Sequence, residues 1–159
     1  MKKILFCTML GLAACGPRTE TKTIGEKTLV LEVADTKKTR ETGLMRRSEL
    51  APSRGMLFVF DEPGDHAMWM HNTTISLDMI FLNSDSAVTA IARDRIPMSR
   101  DLVTPCTVSY ETSGRPAAQF EDYVRKCEAE FRASGDLTKY VVEVKAGESA
   151  GIKKGDKLI

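Results

Sequence analysis

Residues 66 to 82 read HAMWMHNTTISLDMIFL. The stretch holds both histidines of the chain, His66 and His71, and its one tryptophan, Trp69, set between Met68 and Met70. Asp78 then interrupts an apolar run. Three chemistries fit these residue types. Thioethers and imidazoles suit Cu(I), so Met45, Met56, Met68, Met70, Met79 and Met98 with the two histidines raise the possibility of a copper site. A carboxylate inside a buried strand must be paired or hydrogen-bonded. Arg40 or Arg47 is the natural partner, because a planar guanidinium matches a carboxylate fork. Such a pair would lock the 43–50 turn to a sheet. Alternatively Arg40, Arg47, Trp69, Asn72 and Asp78 surround a small pocket for a polar or anionic ligand.

Periodicity argues against the metal. In a strand, Met68 and Met70 share one face while His71 points to the other, which splits the proposed ligands. Methionine also fills irregular gaps in cores and packs its sulfur against rings. We therefore read these methionines as core and assign no metal ligand and no cofactor. Catalysis has little to build on. No nucleophile elbow, phosphate loop or zinc-ligand spacing occurs, and the catalytic residues stay unknown. An enzyme using Arg47 and Asp78 remains an alternative, and copper handling a second one.

Strands and turns must carry these groups. Leu29, Leu31 and Val33 alternate with Val30, Glu32 and Ala34, which predicts a strand. Asp35 or Thr36 caps a short helix through Glu41 that Gly43 stops, and a second turn or short helix covers 46–50. Apolar runs predict strands at 55–60, 67–70, 77–82, 87–93 and 140–144, with turns at 61–65 and 83–85. Asn72-Thr73 ends the Trp69 strand, where asparagine favours a turn. Phe120, Val124, Cys127 and Phe131 fall on one helical stripe that Ser134-Gly135 closes. Many short strands with few helices indicate a mainly β fold, a β-sandwich or partly closed barrel with short helices and one inserted helix.

The ends and the charge narrow the setting. Lys2 and Lys3 precede the short apolar stretch 4–12, and Leu12-Ala13-Ala14-Cys15 offers small residues at a cleavage point. That stretch is about half the length a membrane span requires. "LAAC" resembles the lipobox of bacterial lipoproteins, which implies lipidation at Cys15 after removal of a signal peptide, 1–14. Gly16 in place of Asp leans towards an outer-membrane anchor facing the periplasm. Residues 15–27 are polar and read as a tether, and 28–159 as one domain. Cys106 and Cys127 then remain as a pair that an oxidising compartment favours joining into a disulfide, worth roughly 3 kcal/mol, or as two buried thiols. The chain has 23 Lys+Arg against 22 Asp+Glu. Loss of residues 1–14 removes Lys2 and Lys3, leaving 21 against 22. A nucleic-acid partner calls for a basic excess, and there is none.

Five ordered motifs carry a family resemblance. They are Arg40-x-x-Gly43-Leu44-Met45-x-Arg47 followed by Leu50, Gly55-Met56-Leu57-Phe58-x-Phe60, Trp69-Met70-x-Asn72-Thr73, Leu77-Asp78-x-x-Phe81, and Gly147 with Gly151-Ile152-x-x-Gly155-Asp156. In these the chain resembles the bacterial and archaeal family called domain of unknown function 192. The resemblance implies a jelly-roll-like β-sandwich and no established activity. His71 stands where that family usually has lysine, and the helical segment 106–135 is longer than usual. The expectation is a membrane-tethered envelope domain that binds a small polar or anionic ligand or another envelope protein.

Overall fold

The structure, a computed structural model, describes residues 16–159. The signal segment and Cys15 lie outside the described residues. Six strands are β1 (Thr19–Ile24), β2 (Lys27–Ala34), β3 (Arg54–Gly64), β4 (Leu77–Leu82), β5 (Val88–Arg95) and β6 (Thr138–Lys145). Three α-helices join them: α1 (Lys37–Thr42), α2 (Pro105–Glu111) and α3 (Phe120–Ser134).

The strands form one mixed sheet in the order β1-β2-β3-β6-β4-β5, with β2 and β3 parallel and the other pairs antiparallel. The fold is mainly β, as expected, but it is a single sheet that does not close into a barrel. Its two edges are nevertheless linked. Leu158 bridges Ile24 before the β1–β2 turn, and Lys157 bridges Ala87 at the start of β5. One short segment can reach both edges only if the sheet curls.

A curled central sheet is buried on both faces, and the sequence of β4 shows it: all six residues of LDMIFL are buried. One face packs Ile24, Leu29, Leu31, Leu57, Ile80, Leu82, Val142, Val144, Ile152 and Leu158. The other packs Met56, Phe58, Met79, Phe81 and Val141 beneath Leu44, Met68, Met70, Val103 and Val108. Fully burying each such side chain contributes about 1.5–3 kcal/mol. Gly55 allows β3 and β6 to close up, since a Cβ there would run into the carbonyl oxygen of Glu143.

Five expectations need correction. Residues 61–65 are not a turn, because β3 runs on through Asp61 to Gly64. Residues 15–27 are not all tether, because β1 pairs with β2 through Thr19 to Ile24. Its threonines are β-branched, and an edge strand needs apolar residues on one face only. The stretch 67–70 is not a strand: Met68 makes one isolated bridge to Val103 and the rest is loop. Residues 46–50 form no helix, because Arg46 takes a left-handed backbone, φ 62°. The insert contains two α-helices, not one. Thr104 caps α2 through a reciprocal pair with Thr107, and Pro105 opens it.

Cys106 and Cys127, 21 positions apart in sequence, are joined, with Cα atoms 5.7 Å apart. The bond carries unusual weight in α3, where no residue is fully buried. Reduction should cost about 3 kcal/mol of loop-closure entropy, and the loss should be local. Hydrogen exchange ought to accelerate across α3 while β4 and β6 stay protected. Unchanged protection in reduced α3 would show that the stripe of Phe120, Val124 and Phe131 holds the helix alone.

Candidate functional site

The five candidate ligand residues do not form one cluster. Asp78 points to the face opposite Met79 and is fully buried. No arginine reaches it. One carboxylate oxygen accepts the Asp94 N–H (2.8 Å), and the other accepts the Gly147 N–H (2.9 Å), the Ser149 N–H (3.2 Å) and the Ser149 hydroxyl (2.7 Å). The β4–β5 register slips between Leu77 and Met79, and the Asp78 side chain binds the extra residue of that bulge. Gly147, at φ 90°, turns its N–H towards the same oxygen pair. The expected Asp78–arginine pair is thus replaced by four donors, three of them backbone.

Arg47 does lock the 43–50 turn to the sheet, but through Glu32 on β2. Both Nη atoms reach the Glu32 carboxylate at 2.6 Å. These bonds, more than the opposing charge, hold the Arg47 guanidinium above its usual pKa against the lowering effect of partial burial. The Arg47 carbonyl accepts the Thr74 hydroxyl at 2.6 Å. Nearby, the Arg46 N–H donates to the Asn72 carbonyl (2.8 Å) and the Met98 N–H to the Thr73 carbonyl (3.0 Å). Arg46, Asn72 and Met98 are all left-handed, φ 62°, 54° and 63°. Three loops are therefore pinned together by residues in a backbone state that costs about 1 kcal/mol or more for a side chain with a Cβ.

What this stitching encloses is a cleft between α1 and the 67–73 loop. Its outer part, about 290 Å³, is walled by Lys37, Arg40, Glu41, Phe58, Phe60, Ala67, Met68 and Trp69. Trp69 is 48% exposed, while Met68 and Met70 on its other side are buried in the core. That division is the one alternation predicts. Arg40 is spoken for: it donates to the Asp35 and Val59 carbonyls and to Asp61, all at 2.8–2.9 Å, and lies over the Phe60 ring. His66 stacks on the other aromatic surface of the rim, 3.7 Å from the Phe60 ring. His71 sits 5.0 Å from Trp69, and its Nε2 meets the Asn72 amide nitrogen at 3.1 Å.

Inward of Trp69 and Met68 the cleft adjoins a chamber of about 30 Å³, also lined by Gly43, Met45, His71, Thr73 and Glu143. That is room for a single water or polar group. Glu143 lies on central strand β6, opposite Met56 of β3 and Met79 of β4, and is 4% exposed. Burial alone pushes its carboxyl pKa up to about 8. No fully enclosed side-chain oxygen among the described residues lacks a hydrogen-bond partner. Glu143 has no such partner, so its oxygens keep a sliver of surface, and the chamber is what they face. The sequence reading missed this residue. Its signal was present: one carboxylate in the run Tyr140-Val141-Val142-Glu143-Val144, where an apolar side chain fits the core.

The arrangement offers an aromatic mouth and, at its inner end, one carboxyl that has no hydrogen-bond partner among the described residues. Among the described residues no group of three or more His, Cys, Asp and Glu comes together to hold a metal.

Comparison with known proteins agrees with the fold. The profile of the family described as "Uncharacterized ACR", domain of unknown function 192, matches residues 19–159. No curated protein matches the chain. A crystal structure of a candidate transcription regulator from Sinorhizobium meliloti is 29% identical, with TM-score 0.67, and the match covers 90% of this chain and 94% of that one. A protein of unknown function from Novosphingobium aromaticivorans is 27% identical, also with TM-score 0.67, over 92% of this chain and 89% of that one.

Proposed function

Because the chain belongs to the domain of unknown function 192 family, whose description names no reaction, we propose its function from the cleft: it is a non-catalytic domain that binds a small ligand beside Trp69. The observation that supports this reading is the Glu143 carboxyl, buried and unpartnered at the inner end of an open, aromatic-walled cleft. A group that costly to bury persists where something recovers the cost. The outer volume lies at the lower end of the ~300–1,000 Å³ typical of ligand sites.

The setting we propose is the cell envelope, with a lipid on Cys15 holding the domain at the outer membrane facing the periplasm. The lipobox-like LAAC and the Cys106–Cys127 disulfide support it. Loss of membrane partitioning in Cys15→Ser is the expected result. The description of the Sinorhizobium protein would suggest nucleic acid as a partner, but 23 basic against 22 acidic residues supply no basic surplus for a phosphate backbone. The enzyme alternative loses its proposed cluster, since Arg47 and Asp78 have separate partners. Of the six thioethers the copper alternative draws on, Met56, Met68, Met70 and Met79 are packed in the core; Met98, expected there too, is 54% exposed, and Met45 is half-buried.

Trp69 makes the binding reading simple to test, because it is the only tryptophan. Small aromatic molecules that enter the cleft should shift its emission. Ala67→Phe, at an exposed position on the rim, should abolish the shift and leave thermal stability intact. A shift that survives Ala67→Phe would place binding elsewhere.

A further inference from the structure

We propose that the ligand carries a primary ammonium group, which enters the inner chamber and pairs with the Glu143 carboxylate while an apolar body lies between Trp69, Phe58 and Met68. The proposal rests on the binding reading above and names its ligand class. Three observations carry it. The chamber, about 30 Å³, admits one small polar head and nothing bulkier. Among the described residues the charged groups lining it are Arg40, Glu41 and Glu143, with His71 beside them. Arg40 is occupied by Asp61 and two backbone carbonyls, so it offers little to an anion. Glu41 is exposed, and its one ion pair is a loose 3.9 Å contact with Lys37.

Lys37, the other end of that loose pair, also lines the outer cleft, so Glu41 and Lys37 offset each other at the mouth and Glu143 alone makes the inner end acidic. The ring of Trp69, 48% exposed at the entrance, lies where a cation entering must pass. A hydroxyl or an amide could reach the same chamber, but neither would gain a charge-assisted bond from a carboxylate shielded from water. The ammonium also supplies what Glu143 lacks, a set of donors. Glu143 holds a proton when the site is empty at neutral pH, so seating an ammonium expels that proton to solvent. Binding should release one proton per ligand.

The test uses Trp69 emission and calorimetry with three probes that share a phenyl ring: phenethylamine, 2-phenylethanol, and the N,N,N-trimethyl derivative of phenethylamine. At about pH 7 the amine should bind about tenfold or more tighter than the alcohol. The trimethyl compound, too wide for the chamber, should bind no better than the alcohol. Calorimetry in two buffers of different ionisation enthalpy should report proton release for the amine alone. Glu143→Gln should remove the amine's advantage and leave the alcohol unaffected. Equal affinities for amine and alcohol, or absence of proton release, would overturn the ammonium while leaving a binding cleft. No response of Trp69 to any of the three would overturn both readings. The wild-type comparison decides the matter even if Glu143→Gln folds poorly.

Discussion

Glu143→Gln gains stability over the parent protein as pH rises, by a total of order 5 kcal/mol between about pH 4.5 and pH 8. The direction is set by where the proton sits. In the unfolded chain the carboxyl ionises near 4.5, and in the folded protein burial holds it protonated up to about 8. Below 4.5 both states carry the proton, and Glu143 contributes its full stability. Between the two values the unfolded state sheds its proton first, so each pH unit weakens the fold by about 1.4 kcal/mol. Above 8 the carboxylate is charged and buried, and the penalty levels off. Glutamine has nearly the same shape and never ionises. The cost of burying its amide is the same at every pH, and every other titrating group cancels in the comparison. Urea midpoints for both proteins from acid to alkaline pH measure the difference directly. A difference that stays flat would mean that Glu143 is solvated, and the chamber would lose its defining residue. A primary amine added at saturating concentration should narrow the gap, because the ion pair offsets the cost of the charge.

Much of the framework is legible in the sequence, because it depends on neighbours in the chain. Thr36 caps α1 and Gly43 ends it at φ 47°, as their types demand. The apolar run of β4 is a strand with the bounds its hydropathy suggests. Cys127 on an apolar helix face and Cys106 before it pair as expected. Trp69 was legible only in part. Alternation placed it opposite Met68 and Met70 correctly, yet the same alternation suggested a strand where the backbone pairs at Met68 alone. Side chains can alternate in and out along an irregular loop whenever a core lies on one side. Partners far away in sequence were illegible. Arg47 takes Glu32, an alternating residue of β2 that looked merely solvent-facing. Glu143 stands out in sequence only as one carboxylate in an apolar run, and nothing in the sequence of β6 says that both its faces are covered. That knowledge requires the strand order β3-β6-β4, which no local pattern encodes.

Asp78 was misjudged for a related reason, and it supports the other large prediction. A buried carboxylate invites a search for arginine, but backbone N–H groups are equally good partners and leave no mark in sequence. Here the donors come from residue 94 and from residues 147 and 149, about seventy positions away. Asp78 thereby fixes two pieces at once: the bulge in β5 and the turn after β6 that carries Gly147 and Ser149. Asp78→Ala removes the acceptor and leaves the Ser149 hydroxyl and three N–H groups without their partner. Each orphaned buried donor costs about 1–3 kcal/mol, and water entering the gap recovers some of this, so a net loss of about 4 kcal/mol is expected. Asp78→Asn should be intermediate, at about 2 kcal/mol, because its oxygen still accepts while its amide faces donors. Ser149→Ala removes a single donor from an otherwise satisfied carboxylate and should cost about 1 kcal/mol. The order Ala, Asn, then the Ser149 variant, read from urea unfolding at neutral pH, distinguishes a structural latch from a ligand site. Binding of phenethylamine should survive in whatever fraction of each variant remains folded, since Asp78 lies on the far face of the sheet from Trp69. A variant at position 78 that keeps its stability and loses ligand would reverse the assignment, making Asp78 the binding carboxylate and Glu143 the structural one.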